Sequence, residues 1–225
     1  AARQAAGGGS GGPRTTETDA STPLAVPDDA PPAPRPGARC FGDGDTLYEE
    51  YHDTEWGVPV HGDTALFERL VLEGFQSGLS WITVLRKRPA FREVFAGRAP
   101  RAAGGAPAPA VERRLAHARS IRNRQKITAT IDNARALLAL QAGGGSLDEL
   151  VWSFAPPARS GRPATWGDVP STSPESVALS KALKKHGFRF VGPTTAYAAM
   201  QACGLVDDHL ATCPVVLSRT EPAGS

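Results

Sequence analysis

The sequence lacks any hydrophobic run long enough to cross a bilayer, which predicts a protein without a membrane span. Only three of its 225 residues are cysteines, an odd number at wide spacing, which argues against a secreted disulfide framework. An excess of one charge is also missing, because 25 Lys and Arg residues stand against 23 Asp and Glu residues. Any affinity for nucleic acid must therefore depend on where the basic residues lie. Together these absences indicate a soluble protein of a reducing compartment.

The first 39 residues lack aromatic side chains and contain only two large aliphatic ones, Leu24 and Val26. Among many Gly, Pro, Ala and Ser residues, they cannot bury enough apolar surface to offset the entropy of ordering. We predict a disordered tail over residues 1–39, one folded domain over 40–213 and a flexible tail over 214–225. The Ala and Arg content of the first tail leaves organellar targeting open, although its four acidic residues count against a transit peptide.

Apolar residues recur at helical spacing through the folded part, which predicts an all-α domain with one core. A helix from Thr64 breaks at Gly78, and the next ends at Pro89 because helix is disfavoured before proline. A third helix follows, then a Gly/Ala/Pro-rich loop at 97–110. Further helices are predicted from 111, from 147 to 154, from 174 to 186 and from 193 to 203. Basic residues cluster early in the helix from 111, and such a run is usually a solvated face rather than a phosphate contact: Arg119, Arg122, Arg124 and Lys126.

One carboxylate, Glu73, stands between apolar flanks just before the helix break. At about 100° per residue, Glu73 falls roughly 20° from Leu66, at the edge of the apolar arc of its helix. We therefore predict a half-buried carboxylate at the lip of an apolar pocket. A surface glutamate on an amphipathic helix is the commoner alternative, since glutamate is rarely buried.

Aromatic residues are dense just after the tail, where Tyr48, Tyr51 and Trp56 stand within nine residues of one another around His52. The segment is predicted to be irregular or briefly helical. Large rings dominate core packing, so each ring taken alone is explained as core. For the group, a flat binding pocket is a serious alternative.

Ser173 and Pro174 predict a helix start, because Ser caps a helix and Pro suits its first position. A short Gly-bounded turn separates this helix from one that opens at Pro193. Helix, turn and helix form the outline of a helix-hairpin-helix, whose backbone N–H groups at Gly192 and Thr194 could hold a DNA phosphate. Many helix pairs joined by a Gly turn pack together without binding DNA, so this pattern alone does not distinguish a DNA-binding hairpin from a packing element.

Near the end of the chain, His209 and Cys213 stand at i and i+4, where one helical turn could direct both at a common metal ion. Cys40 and His52 would complete a Cys₂His₂ tetrahedron. The wide separation of the two halves matches no standard zinc-finger spacing, so the residues alone favour packing over a metal site.

Taken together, these stretches resemble the 3-methyladenine DNA glycosylase I family. The resemblance runs in order from about residue 40 to 213 and leaves out the tail, the loop near 97–110 and the last residues. The matching segments are Tyr51 to Pro59, Leu72 to Leu85, Ile121 to Ile127, Val151 to Phe154 and Leu179 to His209. The resemblance implies a helix-hairpin-helix DNA glycosylase fold in which one structural zinc joins the N- and C-terminal segments through Cys40, His52, His209 and Cys213.

The same resemblance implies a base pocket and a DNA interface. Glu73 would be the catalytic residue and would accept a hydrogen bond from the base. Leu79 would wedge into the emptied stack, and Gly192 and Thr194 would hold a phosphate. The base would lie against the rings of Phe41, Tyr48, Tyr51, Trp56 and Trp81. Because the family usually has Trp where this chain has Phe41, an indole N–H is lost at that position.

The implied activity is excision of 3-methyladenine from alkylated duplex DNA by hydrolysis, without lyase activity and with free 3-methyladenine as product. Asp207 and Asp208 come too early for the catalytic Asp of the helix-hairpin-helix superfamily, so neither is assigned catalysis. A cationic methylated base leaves readily, which makes selection of the flipped-out base the main task. The expected protein is a cytoplasmic monomer that acts on the nucleoid and has no membrane partner. The alternatives are a zinc-stabilised DNA-binding module without catalysis and a glycosylase for another base such as 7-methylguanine.

Overall fold

The computed structural model describes residues 37–76, 78–94 and 123–215. Every regular element in these ranges is helical, which confirms the predicted all-α class. The helices are α1 Thr46–Thr54, α2 Asp63–Gln76, α3 Trp81–Val94, α4 Arg124–Ala142, α5 Leu147–Trp152, α6 Pro174–Lys185 and α7 Pro193–Ala202. A short 3₁₀ turn, Trp166–Asp168, lies between α5 and α6. None of these helices is both long enough and apolar enough to cross a membrane.

Several predictions fall on other parts of the chain. The predicted first tail up to residue 36, the loop at 97–110, the helix start at 111 with Arg119 and Arg122, and the end from 216 lie outside the described residues. The division into two tails and one domain therefore stays a prediction.

Helix α2 lies at the centre of the core and packs against α3, α4, α5 and α7. Its apolar residues Leu66, Leu70 and Leu72 are almost fully buried. Because neighbours cover most of its circumference, the residues at the edge of its apolar arc are buried as well. Glu73, predicted to be half-buried, is only 5% exposed, so the predicted degree of burial was wrong.

Helix α3 continues through Pro89, where an end and a new helix were predicted. A proline inside a helix removes one hydrogen bond and costs about 3 kcal/mol. Contacts beyond the proline offset this cost, because Phe91 packs on Phe75 with ring centroids 5.5 Å apart. Arg92 adds hydrogen bonds of 2.8–3.1 Å to Glu68. Both contacts fasten the second half of α3 to α2.

Lys126, predicted in a solvated basic cluster, is buried. Its Nζ donates a hydrogen bond of 2.7 Å to the carbonyl of Phe75 in the last turn of α2. Helix ends leave carbonyls unpaired and carry partial negative charge, which a cation stabilises. This lysine therefore fastens α4 to the end of α2, and its predicted solvation was wrong.

Helices α6 and α7 form the predicted hairpin, and Ser173 caps α6 with its side chain as expected. The turn between them places Phe190 at a φ of 56°, a left-handed conformation that is uncommon outside glycine. Gly74 of α2 faces this turn, and a Cβ there would make ordinary van der Waals contact with the Cβ of Phe190 at 3.5 Å. The hairpin turn thus packs directly against the helix that carries Glu73.

The segment from His209 to Cys213 does not form the predicted helical turn. Its N–H groups are bonded to partners that a helix would not use: His209 to the Asp207 carboxylate, Leu210 to the Cys40 sulfur and Ala211 to the Pro163 carbonyl. These bonds hold the segment against the beginning of the folded chain, where Gly37 also donates to Thr212.

Candidate active site

A pocket of about 170 Å³ opens between α1, α2, α3 and α7. All six residues that the sequence analysis assigned to base binding lie on its wall: Phe41, Tyr48, Tyr51, Trp56, Glu73 and Trp81. Pockets for drug-sized ligands are usually larger, so this volume suits one small planar ligand.

The rings of this wall contact one another. Tyr51 and Trp81 have centroids 5.2 Å apart, and Phe41 lies 4.9 Å from Tyr48 and 5.0 Å from Trp56. Tyr51, Trp56 and Trp81 are each at most 7% exposed. Both explanations raised by the sequence therefore hold together, because the same rings build the core and enclose the pocket.

Four more residues line the pocket, and the sequence analysis missed them: Gln76, Trp166, Ala198 and Gln201. Trp166 comes from the 3₁₀ turn, 126 residues after Cys40, whose carbonyl accepts its indole N–H at 3.2 Å. Its ring centroid lies 6.4 Å from that of Phe41. The one available signal was a large aromatic residue in a Pro-rich loop, where no core is expected.

Glu73 is the acidic group of the pocket wall. Burial raises its pKa to about 8, and the charge of Arg69 opposes that rise. Burial, and then the Glu73 charge, raise the pKa of Tyr48 and of Tyr51, so both phenols stay protonated. A carboxyl that burial holds partly neutral among electron-rich rings suits a ligand that brings positive charge or donates hydrogen bonds.

Three of the four predicted metal ligands meet beside the pocket. Ligand atoms of Cys40, His52 and Cys213 all lie within 4.8 Å of one another and are buried. Behind them, Asp53 holds Nδ1 of His52 at 2.8 Å, the kind of carboxylate support that metal-binding histidines use. Burial raises the pKa of the Cys40 thiol to about 12, so a metal ion would have to displace its proton. This donor set can hold a metal ion.

His209, the fourth predicted ligand, lies next to this group, with its ring centroid 5.1 Å from that of His52. Asp207 holds its Nδ1 at 3.0 Å. Its Nε2 is buried and has no hydrogen-bond partner within the described ranges. An unsatisfied buried polar atom costs about 1–3 kcal/mol, and a metal ion at this position would satisfy it.

The predicted DNA contacts lie at the surface. Leu79 follows the break at Gly78 and is 37% exposed. Gly192 is the N-cap of α7, without a side-chain cap, and Thr194 is exposed in the first turn. A Cβ at Gly192 would meet nothing within 4 Å, so the protein leaves open space in front of this helix start. The wedge and phosphate roles stay predictions.

Asp208 is buried and its carboxylate is fully bonded. It accepts hydrogen bonds from Arg159, from the Tyr197 hydroxyl at 2.7 Å and from the Gln201 amide at 2.9 Å. Asp207 is bonded to Arg162 and His209. Neither carboxylate is placed as a free base in the pocket.

Known proteins match this arrangement. The family model described as methyladenine glycosylase matches residues 41–216. The DNA-3-methyladenine glycosylase 1 of Escherichia coli (strain K12) is 47% identical over 170 residues, which span 75% of this chain and 91% of that protein. A crystal structure of 3-methyladenine DNA glycosylase I matches with a TM-score of 0.75 at 47% identity, covering 79% of this chain and 98% of the other. The enzyme from Staphylococcus aureus, studied for its recognition of 3-methyladenine, matches with a TM-score of 0.75 at 32% identity, covering 80% and 97%.

The matched span contains the pocket, the hairpin and the C-terminal pair of proposed metal ligands. Identity of this extent over most of both chains goes well beyond a shared helical fold. The chain therefore belongs to the 3-methyladenine DNA glycosylase I family, as the resemblance in its sequence implied.

Proposed function

We propose that this chain is a DNA glycosylase that flips 3-methyladenine out of alkylated duplex DNA and hydrolyses its N-glycosidic bond. The observation that carries the proposal is the pocket itself, in which aromatic rings enclose the buried carboxyl of Glu73. The relatives that match over most of their length are 3-methyladenine DNA glycosylases.

The pocket selects the base through its charge. A 3-methylated adenine nucleotide carries positive charge on the base, and the rings of Tyr51, Trp56 and Trp81 favour a cation by roughly 1–2 kcal/mol when water is excluded. Glu73 accepts a hydrogen bond from the exocyclic amine. A cation beside this carboxyl lowers its pKa from about 8, so binding at neutral pH releases a proton from Glu73.

Cleavage needs little acid assistance because the cationic base is a good leaving group. The electrons of the glycosidic bond move onto the base and neutralise it, positive charge shifts to the sugar, and water adds there with loss of a proton. The Glu73 carboxylate stabilises positive charge in this region. None of the ten lining residues is a lysine, the amine that a lyase step would use. We therefore propose hydrolysis alone.

The duplex is held by contacts around the pocket. Leu79 occupies the space left by the flipped base, and the N–H groups at Gly192 and Thr194 bind a phosphate at the positive end of α7. We propose that the protein acts as a monomer. The three free, buried cysteines suit the reducing cytoplasm, where the DNA substrate also lies.

We infer that the group of Cys40, His52 and Cys213 binds one zinc ion per chain, with His209 as the fourth ligand. Thiolate and imidazole donors favour zinc, and four protein ligands make a closed, structural site. The buried, unpartnered Nε2 of His209 supports this assignment. When bound, the ion would join the segment before α1 to the segment after α7.

Replacing Cys213 with Ala should remove the zinc and lower the thermal stability, because one of four ligands is lost. Cys203→Ala is the matched control, since Cys203 is equally buried but stands outside the ligand group. Elemental analysis and thermal unfolding measure both effects. Freshly purified wild-type protein without zinc would refute the assignment.

Incubation with methylated duplex DNA tests the enzymatic function. A glycosylase releases free base, which is separated from the DNA and counted. A DNA-binding module without catalysis would retard the duplex in a gel and release nothing, and that result would overturn the proposal.

A further inference from the structure

A buried cation lies next to the pocket but does not line it. Arg69 is only 8% exposed and precedes Glu73 by four residues, one turn of α2. Its guanidinium carbon lies 5.7 Å from the centre of the Tyr51 ring, which forms part of the pocket wall. Arginine is rarely buried without a partner, so this position needs an explanation.

Arg69 belongs to a network of ion pairs that joins α1, α2 and α3. Glu55, just after α1, accepts hydrogen bonds from Arg69 and from Arg88, the latter at 2.8 and 2.9 Å. Arg88 also donates to Glu68 at 2.8 Å, and Glu68 accepts from Arg92. In this network three guanidinium groups share two carboxylates, so Arg69 has no carboxylate of its own.

The two ends of the Arg69 guanidinium differ in their surroundings. Nη2 donates to Glu55, whereas Nη1 is buried and has no hydrogen-bond partner in the part of the chain that the structure describes. The shared Glu55 charge therefore leaves part of the positive charge of Arg69 uncompensated. Glu73 is the buried carboxyl on which this charge acts, and it opposes the effect of burial on the pKa of Glu73.

We propose that Arg69, one turn of α2 before Glu73 and held in place by Glu55, is a positioning residue for base selection that supplies a fixed positive charge beside the Glu73 carboxyl. This inference rests on the proposed function of the pocket. Arg69 does not touch the base and acts through Glu73. Without the charge of Arg69, burial alone sets the ionisation of Glu73. A smaller fraction of the protein molecules then carries Glu73 as a carboxylate at neutral pH.

The other groups around Glu73 do not replace this charge. Burial, followed by the charge of Glu73 itself, raises the pKa of Tyr48 and of Tyr51 on α1, so both phenols are neutral. Burial raises the pKa of Cys203, after α7, to about 12, and that thiol is also neutral. From α3 the pocket receives Trp81, which carries no charge. Within the described ranges, Arg69 is the cation that lowers the pKa of Glu73.

Arg69→Met tests the inference, because Met fills similar space without charge. A titration of the Glu73 carboxyl carbon by NMR measures its ionisation independently of any activity. Removing a neighbouring opposite charge shifts a carboxyl pKa by about 1–3. We expect the Glu73 midpoint to rise by about one pH unit or more in this variant. Arg69→Gln repeats the loss of charge with a polar side chain of shorter reach.

Two controls separate charge from packing. Arg92→Met removes an arginine that bonds to Glu68 in the same network, and should leave the Glu73 midpoint near its wild-type value. Arg69→Lys keeps the charge and should do the same. An unchanged midpoint in the Met and Gln variants overturns the inference, as does a Lys variant that shifts as far as the Met variant.

Base excision then adds a second readout. In Arg69→Met, excision at pH 7 should fall about tenfold for each unit of rise in the Glu73 midpoint and recover as the pH is raised through it. Arg92→Met should keep the wild-type pH profile. If the midpoint shifts as expected but the wild type releases no base, the proposed function fails while the electrostatic role of Arg69 stands.

Discussion

Among single residues, Glu73 combines two properties that rarely occur together. It is buried on the central helix α2, and it is the acidic group of the pocket wall. Burial raises its pKa to about 8, so ionisation of Glu73 is disfavoured without a ligand, whereas a bound cationic base would favour the carboxylate. Strongly perturbed groups of this kind concentrate at functional sites, which supports its assignment to base recognition.

Replacing Glu73 with Gln should change how stability depends on pH. Its pKa of about 8 in the fold lies above the ordinary value of 4.5, so the folded state binds the proton more tightly than the unfolded state. Wild-type stability should therefore fall as the pH rises from about 4.5 to about 8, by up to a few kcal/mol. Gln carries no proton to lose, so the variant should match the wild type near pH 5 and exceed it at pH 8. Thermal melts across this range check the prediction, and parallel curves would contradict the raised pKa.

The sequence predicted Glu73 and five wall rings, but neither Arg69 nor Trp166. Glu73 was visible because its flanks are apolar, and three of the rings because they stand close together. Arg69 and Trp166 acquire their roles through contacts with distant residues, such as the bond from Trp166 to Cys40. Burial of Glu73 was underestimated because periodicity along one helix does not reveal how many neighbours cover it.

At the level of secondary-structure elements, local signals predicted most helix starts and ends, and the end predicted at Pro89 was wrong. The cap at Ser173 and the proline at Pro193 depend on neighbouring residues only, and both helices begin there. Pro89 failed as an end because α3 gains contacts with α2 beyond it. The segment from His209 to Cys213 is not helical because the N–H groups of Leu210 and Ala211 bond to distant partners, the Cys40 sulfur and the Pro163 carbonyl.

The hairpin is expected to bind DNA through open backbone groups at Gly192. Gly192→Val should leave the fold intact, since its φ of −62° suits any residue and a Cβ there meets open space. Duplex affinity should fall about tenfold, because hydrogen bonds to a charged phosphate contribute about 1.5–3 kcal/mol. Binding to undamaged and methylated duplex measures the effect, with Gly161→Val as a control at another open glycine. Equal affinity in both variants would reduce the hairpin to a packing element.

The 3₁₀ turn is expected to hold the mouth of the pocket through Trp166. This ring is 40% exposed, so Trp166→Ala should cost the core little. Loss of the indole ring should weaken binding of a cationic base by a few fold, since exposed cation–π contacts contribute about 0.5–1 kcal/mol. Trp152→Ala is the control, because Trp152 packs on His61 away from the pocket. Excision kinetics should show the loss in the first variant only, and equal kinetics would remove Trp166 from the site.

For the molecule as a whole, the two ends of the folded chain meet where the pocket and the metal group adjoin. Phe41 follows Cys40, Tyr51 precedes His52, and the Trp56 ring lies 4.5 Å from that of His209. Removal of the proposed zinc ion should therefore loosen the wall and lower base affinity, even though none of its proposed ligands lines the pocket. Comparing base affinity before and after chelation tests this coupling, and unchanged affinity in folded, metal-free protein would refute it.

The central claim is that this chain excises 3-methyladenine with the help of Glu73, and chromatography of the bases released from methylated duplex DNA tests it most directly. The wild type should release 3-methyladenine as the main product and leave 7-methylguanine in the DNA. Glu73→Gln should release the same base about tenfold to a hundredfold more slowly, because a charge-assisted hydrogen bond contributes about 1.5–3 kcal/mol. Release of mainly 7-methylguanine by the wild type, or full speed in a folded Gln variant, would contradict the account.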